Sequence, residues 1–246
     1  MIAGEKITEI SLNFNSSLLS ELIFKKPINL TKVVCDDFII KVQTTFRNKN
    51  IPQDIVGIDD HTIIWSYFES ALGTVASFFH NEMLIGLEIC DDASIEIPFN
   101  KTKAIWRHFT FLESTRKVKE LWHKVIFTNK EINITASGSP FQISVWNELL
   151  TINPGETRNY IDIASSLNIP SSVRSVGTAI GQNPIFLFIP CHRVVRKSGE
   201  IGGYRWGSDL KRKLLNHELL LNSLDQNNLT SNKSPTFPTK NNIREK

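Results

Sequence analysis

A seven-residue segment, residues 189–195, places a cysteine, a histidine and an arginine at consecutive positions directly after an apolar run. The run, residues 185–188, reads Ile-Phe-Leu-Phe and is typical of a fully buried segment. Polar side chains at the exit of such a segment cost free energy unless they are paired. Cys191, His192 and Arg193 are therefore the first candidates for a functional role.

These side chains indicate a nucleophilic site. A thiol becomes a strong nucleophile as the thiolate, which a nearby base or cation promotes, and His192 and Arg193 are the obvious sources. Neighbouring side chains of an extended backbone point to opposite faces, so we expect a water or a bend after Pro190 to connect His192 with Cys191. The alternative is a buried, inert cysteine beside a surface histidine.

The composition is that of an ordinary globular protein. The 246 residues suffice for one large or two small domains, with 41% hydrophobic and 22% charged residues. The first residues lack a basic region followed by a long apolar run, and later apolar stretches are shorter than a bilayer span. We expect a cytoplasmic protein, nuclear if the cell has a nucleus, with no membrane partner.

The cysteines exclude two common structural devices. Cys35, Cys90 and Cys191 are far apart and odd in number, so neither a disulfide framework nor a CxxC metal site is available. We expect no metal and no cofactor. A reducing compartment fits this pattern, and a free thiolate survives there.

The positive charge is concentrated near the cysteine. The net charge of +3 is too small to indicate a polyanionic partner, but seven cations against two acids lie between Cys191 and His217. This density suggests an anionic partner such as a nucleic-acid backbone, although a solvated helix face explains residues 211–213 almost as well. The seven are Arg193, Arg196, Lys197, Arg205, Lys211, Arg212 and Lys213.

The first part of the chain reads as sheet and helix. Residues 1–60 show no catalytic or metal pattern, and residues 33–42 fit a strand or a helix. Three β-type runs between residues 62 and 89 predict an antiparallel meander. Helices are predicted at residues 104–112 and 115–125, a further strand at 130–136 and a domain boundary at 137–140. Trp106, Trp122 and Cys90 are predicted core residues.

The second part reads as helical. Helices are predicted at residues 141–150, from Tyr160 to Leu167, and from Ser171 or Ser172 onward, where either serine provides the cap. Two short helices across a tight turn form a helix-turn-helix, which alone is a weak signal for nucleic-acid binding. Arg174 in the first turn opposes the helix dipole, so it either reaches into DNA or pairs with a nearby acid at the surface.

The last predicted helix, residues 208–221, carries a carboxylate in an apolar stripe. Leu210, Leu214 and Glu218 share one face. A buried acid needs a partner, and His192 is the natural one, because a base is best held by a third group. Otherwise Glu218 splays into solvent. His217 is predicted at the surface, and residues 223–246 form a disordered tail.

Taken together, these residues resemble the O6-alkylguanine-DNA alkyltransferases, particularly the bacterial Ada-type and Ogt-type forms. The resemblance is strong over residues 141–218 and weaker back to residue 62. It rests on Phe141-Gln142, Val145-Trp146, Pro154-Gly155-Glu156, Tyr160, Ile163-Ala164, Val173-Arg174-Ser175-Val176-Gly177, Asn183-Pro184, Pro190-Cys191-His192-Arg193-Val194-Val195, Gly203-Tyr204-Arg205-Trp206-Gly207, Leu214-Leu215 and Glu218.

The resemblance implies an α+β fold in which an N-terminal α/β, RNase H-like domain precedes a mostly helical C-terminal domain with a winged-helix-like helix-turn-helix. On this basis residues 1–60 are an extension of unknown role and residues 61–138 the α/β methyltransferase domain. Residues 139–222 are then the DNA-binding and active-site domain, followed by the tail at 223–246.

The resemblance also implies roles for single residues. Cys191 attacks the alkyl group on guanine O6 and keeps it; His192 activates the thiol through a water, Glu218 orients His192, and Asn183 ties the preceding turn. Tyr160 crowds the phosphate of the target nucleotide, Arg174 fills the gap left by the extruded base, and residues 204–207 form the pocket wall. The residues expected to contact DNA or the base are Tyr160, Ser171, Ser172, Arg174, Gly177, Arg193, Tyr204, Arg205 and Trp206.

The implied partner is double-stranded DNA carrying O6-alkylguanine, bound by a monomer. The sequence leaves open whether O4-alkylthymine is also a substrate. Ada-type proteins carry an additional four-cysteine metal module, which the two cysteines before Cys191 cannot supply. The alternatives are a damage-recognition protein that does not react, an Ada-like transcriptional regulator, and a cysteine hydrolase, which would need turnover and an oxyanion site.

Overall fold

The computed structural model describes residues 7–13, 39–48, 61–70, 72–90, 96–125 and 131–229, which form a mixed α/β structure. The strands are β1 (Ile7–Asn13), β2 (Ile39–Asn48), β3 (Thr62–Ser70), β4 (Gly73–His80), β5 (Met83–Cys90), β6 (Thr110–Glu113), β7 (Glu131–Gly138), β8 (Arg158–Asn159) and β9 (Val194–Val195). The helices are α1 (Glu96–Ile105), α2 (Thr115–His123), α3 (Pro140–Leu149), α4 (Tyr160–Ser166), α5 (Val173–Gly181) and α6 (Ser208–Leu229).

Seven strands form one mixed sheet in the order β1-β2-β7-β5-β4-β3-β6. The strands β3, β4 and β5 pair antiparallel, which confirms the predicted meander. β7 pairs in parallel with β2 and β5, and β6 in parallel with β3. β1 and β2 show that residues 1–60, in which the sequence revealed no functional pattern, contribute two strands to this sheet.

The chain divides into two compact units. The first contains the described residues up to Ile143 together with Pro184–Phe188, and the second contains Ser144–Asn183 and the described residues from Ile189. The division therefore falls within α3, a few residues after the predicted boundary. Pro184–Phe188 joins the first unit through β5: Leu87 N donates to Pro184 O at 3.0 Å, and Phe186 N donates to Leu87 O at 3.1 Å.

The core of the first unit is rich in aromatic side chains. Trp122 on α2 is buried, and its Nε1 donates to the buried Ser77 hydroxyl on β4 at 3.1 Å, which satisfies both polar groups. The predicted core positions Trp106, Trp122 and Cys90 are confirmed. One cluster of this core consists of Ile63, Ala76, Phe78, Ile85, Cys90 and Trp106.

The predicted helix at residues 104–112 is wrong beyond its first two residues. α1 ends at Ile105, and β6 at Thr110–Glu113 pairs with β3, with Thr110 N donating to His61 O at 2.8 Å. The Thr-Phe-Leu sequence of β6 suits a pleated, half-buried surface better than a helix. The other predicted helix of this unit, α2, is confirmed, and the Ser114 side chain caps it.

In the second unit, hydrogen bonds fix α3, α4 and α5. Trp146 on α3 is buried, and its Nε1 donates to Ala179 O on α5 at 2.9 Å. α4 begins with a capping box in which the Asn159 side chain accepts from the helix N–H groups and Asp162 accepts from Asn159 N. Ser172 occupies the N-cap position of α5 but, within the described part of the chain, its side chain makes no capping bond. The predicted serine cap is therefore wrong.

α6 continues to Leu229, beyond the predicted end at residue 221. Residues 223–229, predicted as the start of a disordered tail, are helical; they contain neither glycine nor proline, which commonly end a helix. The rest of the predicted tail, residues 230–246, lies outside the described residues. Among the residues the structure describes, no helix combines the length and hydrophobicity needed to span a bilayer.

Candidate active site

The chain bends immediately after Pro190, as predicted. Cys191–Arg193 form one 3-10 turn, in which Cys191 N donates to Ile189 O at 2.7 Å and Arg193 N donates to Pro190 O at 3.0 Å. β9 follows directly and pairs in parallel with β8. The turn directs three consecutive polar side chains into the interior of the second unit, where all three are buried.

The Cys191 thiol contacts two polar side chains. Asn183 Nδ2 donates to Cys191 Sγ at 3.0 Å and to Ile189 O at 2.8 Å, so one amide joins the thiol to the backbone before Pro190. The Tyr204 hydroxyl lies 4.0 Å from Sγ. Asn183 is fully buried, which makes this contact a fixed part of the site.

Burial raises the pKa of the Cys191 thiol, against the opposing effects of the Asn183 and Tyr204 hydrogen bonds and the Lys211 charge. The resting group is therefore the neutral thiol. It requires a base before it becomes a nucleophile.

The neighbouring His192 has the chemistry of a base. Its ring is fully buried, and Nε2 lies 2.8 Å from Glu218 Oε1. Because an ionised carboxylate only accepts hydrogen bonds, Nε2 carries the proton and Nδ1 holds the free electron pair. Nδ1 is buried and has no hydrogen-bond partner among the described residues. Burial lowers the pKa of His192, partly offset by Glu218, so the resting imidazole is neutral and able to accept a proton.

Glu218 is the centre of a buried ionic cluster, and its predicted pairing with His192 is confirmed. Arg193 Nη2 donates to Glu218 Oε1 at 2.7 Å, and Arg193 Nε lies 3.1 Å from both carboxylate oxygens. Gly155 N donates to Oε2 at 3.1 Å. Burial alone would raise the pKa of Glu218, but the contacts with His192 and Arg193 lower it to about 2.

The prediction that Arg193 contacts DNA is wrong. Its side chain is 1% exposed, and besides Glu218 it donates through Nη1 to Ile152 O at 2.6 Å. A buried carboxylate requires a buried cation, and Arg193 supplies it. This guanidinium is a structural partner of the base cluster.

A pocket of about 500 Å³ opens above the thiol. It brings together many of the predicted site residues, namely Tyr160, Gly177, Cys191, Tyr204, Arg205 and Trp206, with Ile180, Gly181, Arg196 and Gly203 completing the lining. Gly177 lies beside the Tyr160 ring: a Cβ on this glycine would be 3.7 Å from it. The glycine therefore shapes the pocket wall.

The pocket walls carry two protonated phenols and an aromatic pair. Tyr204 and Trp206 meet edge to face with ring centroids 5.1 Å apart, and the Arg205 guanidinium lies 5.4 Å from the Trp206 centroid. Burial, with the neighbouring Cys191, raises the pKa values of both Tyr160 and Tyr204. Both hydroxyls remain hydrogen-bond donors at neutral pH.

The remaining predicted contact residues lie at the start of α5 and do not line this pocket. Ser171 and Arg174 are exposed and Ser172 is half-buried. Within the described residues no acid pairs with the Arg174 guanidinium, so the alternative of a surface ion pair is not what the structure shows.

Lys211 was expected either to belong to a basic surface for an anionic partner or to lie on a solvated helix face, and the structure shows neither. Lys211 is 1% exposed; its Nζ donates to Val194 O and lies 5.7 Å from the Tyr204 ring centroid. Burial lowers its pKa to about 8, although Cys191 acts in the opposite direction. The signal was present in the sequence, because Lys211, Leu215 and Glu218 follow the i, i+4, i+7 spacing of one helix face.

The site combines a buried thiol, a histidine hydrogen-bonded to a carboxylate and an aromatic pocket. This combination is typical of proteins that use a cysteine nucleophile. Among the described residues, no cluster of three or more His, Cys, Asp or Glu is arranged to hold a metal ion.

Residues 140–220 match the family described as "6-O-methylguanine DNA methyltransferase, DNA binding domain". A Bacillus subtilis relative named "Methylated-DNA--protein-cysteine methyltransferase, inducible" is 46% identical over 37% of this chain and 50% of its own length. A Debaryomyces hansenii methylated-DNA--protein-cysteine methyltransferase is 52% identical over 33% of this chain and 42% of its own. The chain thus spans about half the length of these curated relatives.

Similarity to a solved structure extends further along the chain. The crystal structure of Mycobacterium tuberculosis O6-methylguanine methyltransferase aligns with 64% of this chain and 93% of its own, at 31% identity and a TM-score of 0.50. The chain belongs to the O6-alkylguanine-DNA alkyltransferase family, as its resemblance to that family indicated.

Acidification should reduce the free energy of unfolding that the buried Glu218 cluster contributes. The folded pKa of about 2 is below the ordinary value of 4.5, so the stabilisation is present above about pH 4.5 and is lost as the pH falls towards 2. The difference between these two pKa values corresponds to about 3 kcal/mol of stability. In urea unfolding, the stability difference between wild type and Glu218→Gln should shrink as the pH falls from about 4.5 towards 2.

The matched control is Glu148→Gln, which breaks the more exposed ion pair of Glu148 with Arg158. The difference in unfolding free energy between this variant and wild type should change by less than about 1 kcal/mol over the same pH range. Parallel pH profiles for wild type and Glu218→Gln would contradict the assignment.

Proposed function

We propose that this protein repairs DNA by direct reversal: it transfers the alkyl group of O6-alkylguanine, in a nucleotide flipped out of duplex DNA, irreversibly to Cys191. The observation that carries the proposal is a buried Cys191 thiol in an aromatic pocket, beside the neutral, Glu218-oriented His192. The activity is a single-turnover methylated-DNA–protein-cysteine S-methyltransferase reaction, one alkyl group per protein molecule. O4-alkylthymine is a second candidate substrate.

In the proposed reaction the thiol proton moves to His192 Nδ1 through one bridging water. The thiolate electron pair then forms a bond from Cys191 Sγ to the alkyl carbon, while the carbon–O6 bond breaks and its electrons remain on guanine. The departing base takes a proton, for which Tyr204 and Tyr160 are the donors in the pocket. The proton held by His192 then replaces the one that the phenol has given, so that the cysteine, histidine and tyrosine side chains end neutral. The product is a stable thioether, so the protein has no route back to its starting state.

The proposal includes a mode of DNA binding. An atom inside a duplex is reached only when the nucleotide is flipped out, and a side chain inserted between base steps offsets part of the unstacking cost. We assign α4 and α5 to a winged-helix-like helix-turn-helix that places α5 in the minor groove. Ser171 and Ser172 then lie along the groove, and the exposed Arg174 fills the gap.

The remaining assignments belong to the same proposal. The first unit is an RNase H-like α/β domain; residues 61–138 and 139–222 are the two working domains, and residues 1–60 are an extension to the first. The protein acts as a monomer, without a cofactor, in the compartment that holds the DNA, which is the cytoplasm in bacteria and the nucleus in eukaryotes. Asn183 holds the turn that presents Cys191.

Mass spectrometry tests the transfer. Wild type, incubated with a duplex containing one O6-methylguanine, should gain one methyl group on the peptide bearing Cys191, and the gain should saturate at one per protein. Cys191→Ala should gain none yet still bind the duplex, because the mutation leaves the DNA-contacting surface intact. A damage-recognition protein would bind the duplex and leave the wild-type thiol unmodified, which would contradict the proposal.

Arg174→Ala should slow transfer from duplex DNA about tenfold or more, equivalent to about 1.4 kcal/mol of barrier, because extrusion of the nucleotide loses its support. On a single-stranded oligonucleotide, which needs no extrusion, the loss should nearly vanish. Arg116→Ala is the control, since Arg116 is an exposed arginine on α2 in the first unit. An unchanged duplex rate, or an equal loss on single strands, would remove this role for Arg174.

A further inference from the structure

Arg196 occupies a position that the catalytic cluster does not use. β8 and β9 pair in parallel with Asn159 opposite Val195. Tyr160 directly follows β8 and Arg196 directly follows β9, so both residues lie at the same end of this strand pair. Both line the pocket that contains Cys191.

Arg196 is held by its stem, while its charged head remains accessible. Gly202, with a φ of +70°, lets the arginine stem pack closely, since a Cβ there would be 3.2 Å from Arg196 Cγ. The guanidinium pairs with Glu200, Nη1 to Oε2 at 3.1 Å, and the Arg196 side chain is 62% exposed. The guanidinium thus lies where the pocket meets solvent.

The position of this charge is not explained by recognition of a base. An O6-alkylated guanine is neutral, and the pocket already offers aromatic walls and two phenol hydroxyls for it. Of the sugar and the phosphate that a nucleotide adds to its base, only the phosphate is charged. The planar fork of arginine matches phosphate oxygens in a bidentate manner. The Arg196 charge also acts on Tyr160, where it opposes the rise in the pKa of that phenol.

We propose that Arg196 binds a phosphate flanking the extruded nucleotide and so holds that nucleotide in the pocket. On binding, the guanidinium exchanges Glu200 for the phosphate, while Gly202 keeps the stem in place. This inference rests on the proposed function and adds a specific phosphate contact to it. Arg196 acts on the nucleotide backbone and not on the alkyl group.

The test combines protein and DNA changes. Single-turnover methyl transfer to Cys191 is measured for wild type and Arg196→Gln on a duplex with one O6-methylguanine. It is repeated on two duplexes in which the phosphate on the 5′ or the 3′ side of the lesion is a neutral methylphosphonate. Loss of one charge-assisted hydrogen-bonded contact should slow Arg196→Gln about tenfold or more on the natural duplex. On one of the two neutral duplexes the loss should fall below about twofold, as expected for directly coupled groups.

Two variants separate this role from a structural one. Glu200→Gln breaks the same ion pair but keeps the cation, so its rate on the natural duplex should equal or exceed that of wild type. Arg116→Gln removes an exposed arginine that is also paired at i,i+4, with Glu120, and should leave all three rates within about twofold.

The outcomes distinguish the two proposals. Suppose that wild type transfers the methyl group. If Arg196→Gln is then slowed equally on all three duplexes, or if Glu200→Gln is slowed as much as Arg196→Gln, the phosphate contact alone is overturned. An unchanged rate for Arg196→Gln on the natural duplex would do the same. Absence of methyl transfer by wild type on every duplex would overturn the proposed function and this inference together.

Discussion

The buried Glu218 carboxylate is the interaction on which the site depends. It accepts hydrogen bonds from His192, from Arg193 and from the backbone of Gly155, and Arg193 in turn reaches the carbonyl of Ile152. Three separate segments of the second unit therefore meet at one ion cluster: the loop with Ile152 and Gly155, the Cys191–Arg193 turn, and α6. A buried ion pair adds little net stability, but loss of one partner leaves an uncompensated charge. This requirement fixes the direction in which the Cys191–Arg193 turn faces.

Burial of the cluster costs free energy, and it also sets the resting protonation states on which the proposed proton transfer depends. Both Cys191 and His192 are neutral at rest, because burial raises the pKa of the thiol and lowers that of the imidazole. In the proposed reaction, charge on these two groups appears only when the proton moves from Cys191 to His192. Glu218 would then stabilise the imidazolium, and the positive charge of Lys211, which opposes the rise in the pKa of Cys191, would stabilise the thiolate. A protein that reacts once gains from a thiol that stays protonated until its substrate fills the pocket, since thiolates are the form that oxidises and exchanges readily.

Most of the site was predictable from short-range patterns. The Cys-His-Arg run, the bend after Pro190 and the pairing of Glu218 with His192 follow from helical spacing and the need to pair buried polar groups. The burial of Arg193 was not predictable, because choosing between a structural and a DNA-binding role requires knowing that Ile152 O and Glu218 lie beside it. Strand β6 was not predicted because its pairing with β3 is non-local. The burial of Lys211 was not predicted because its charge was given more weight than its position on the buried face of the helix.

The protonation state of His192 tests the account most directly. Nitrogen NMR of the resting wild-type protein at pH 7, with the signals assigned by His192→Gln, reports which ring nitrogen carries a proton. The structure predicts a neutral ring that is protonated at Nε2 and unprotonated at Nδ1. In the wild-type protein the ring should become an imidazolium only at a pH below the ordinary histidine pKa of about 6.5. A resting imidazolium at pH 7, or a neutral ring protonated at Nδ1, would contradict the proposed transfer of the Cys191 proton to His192.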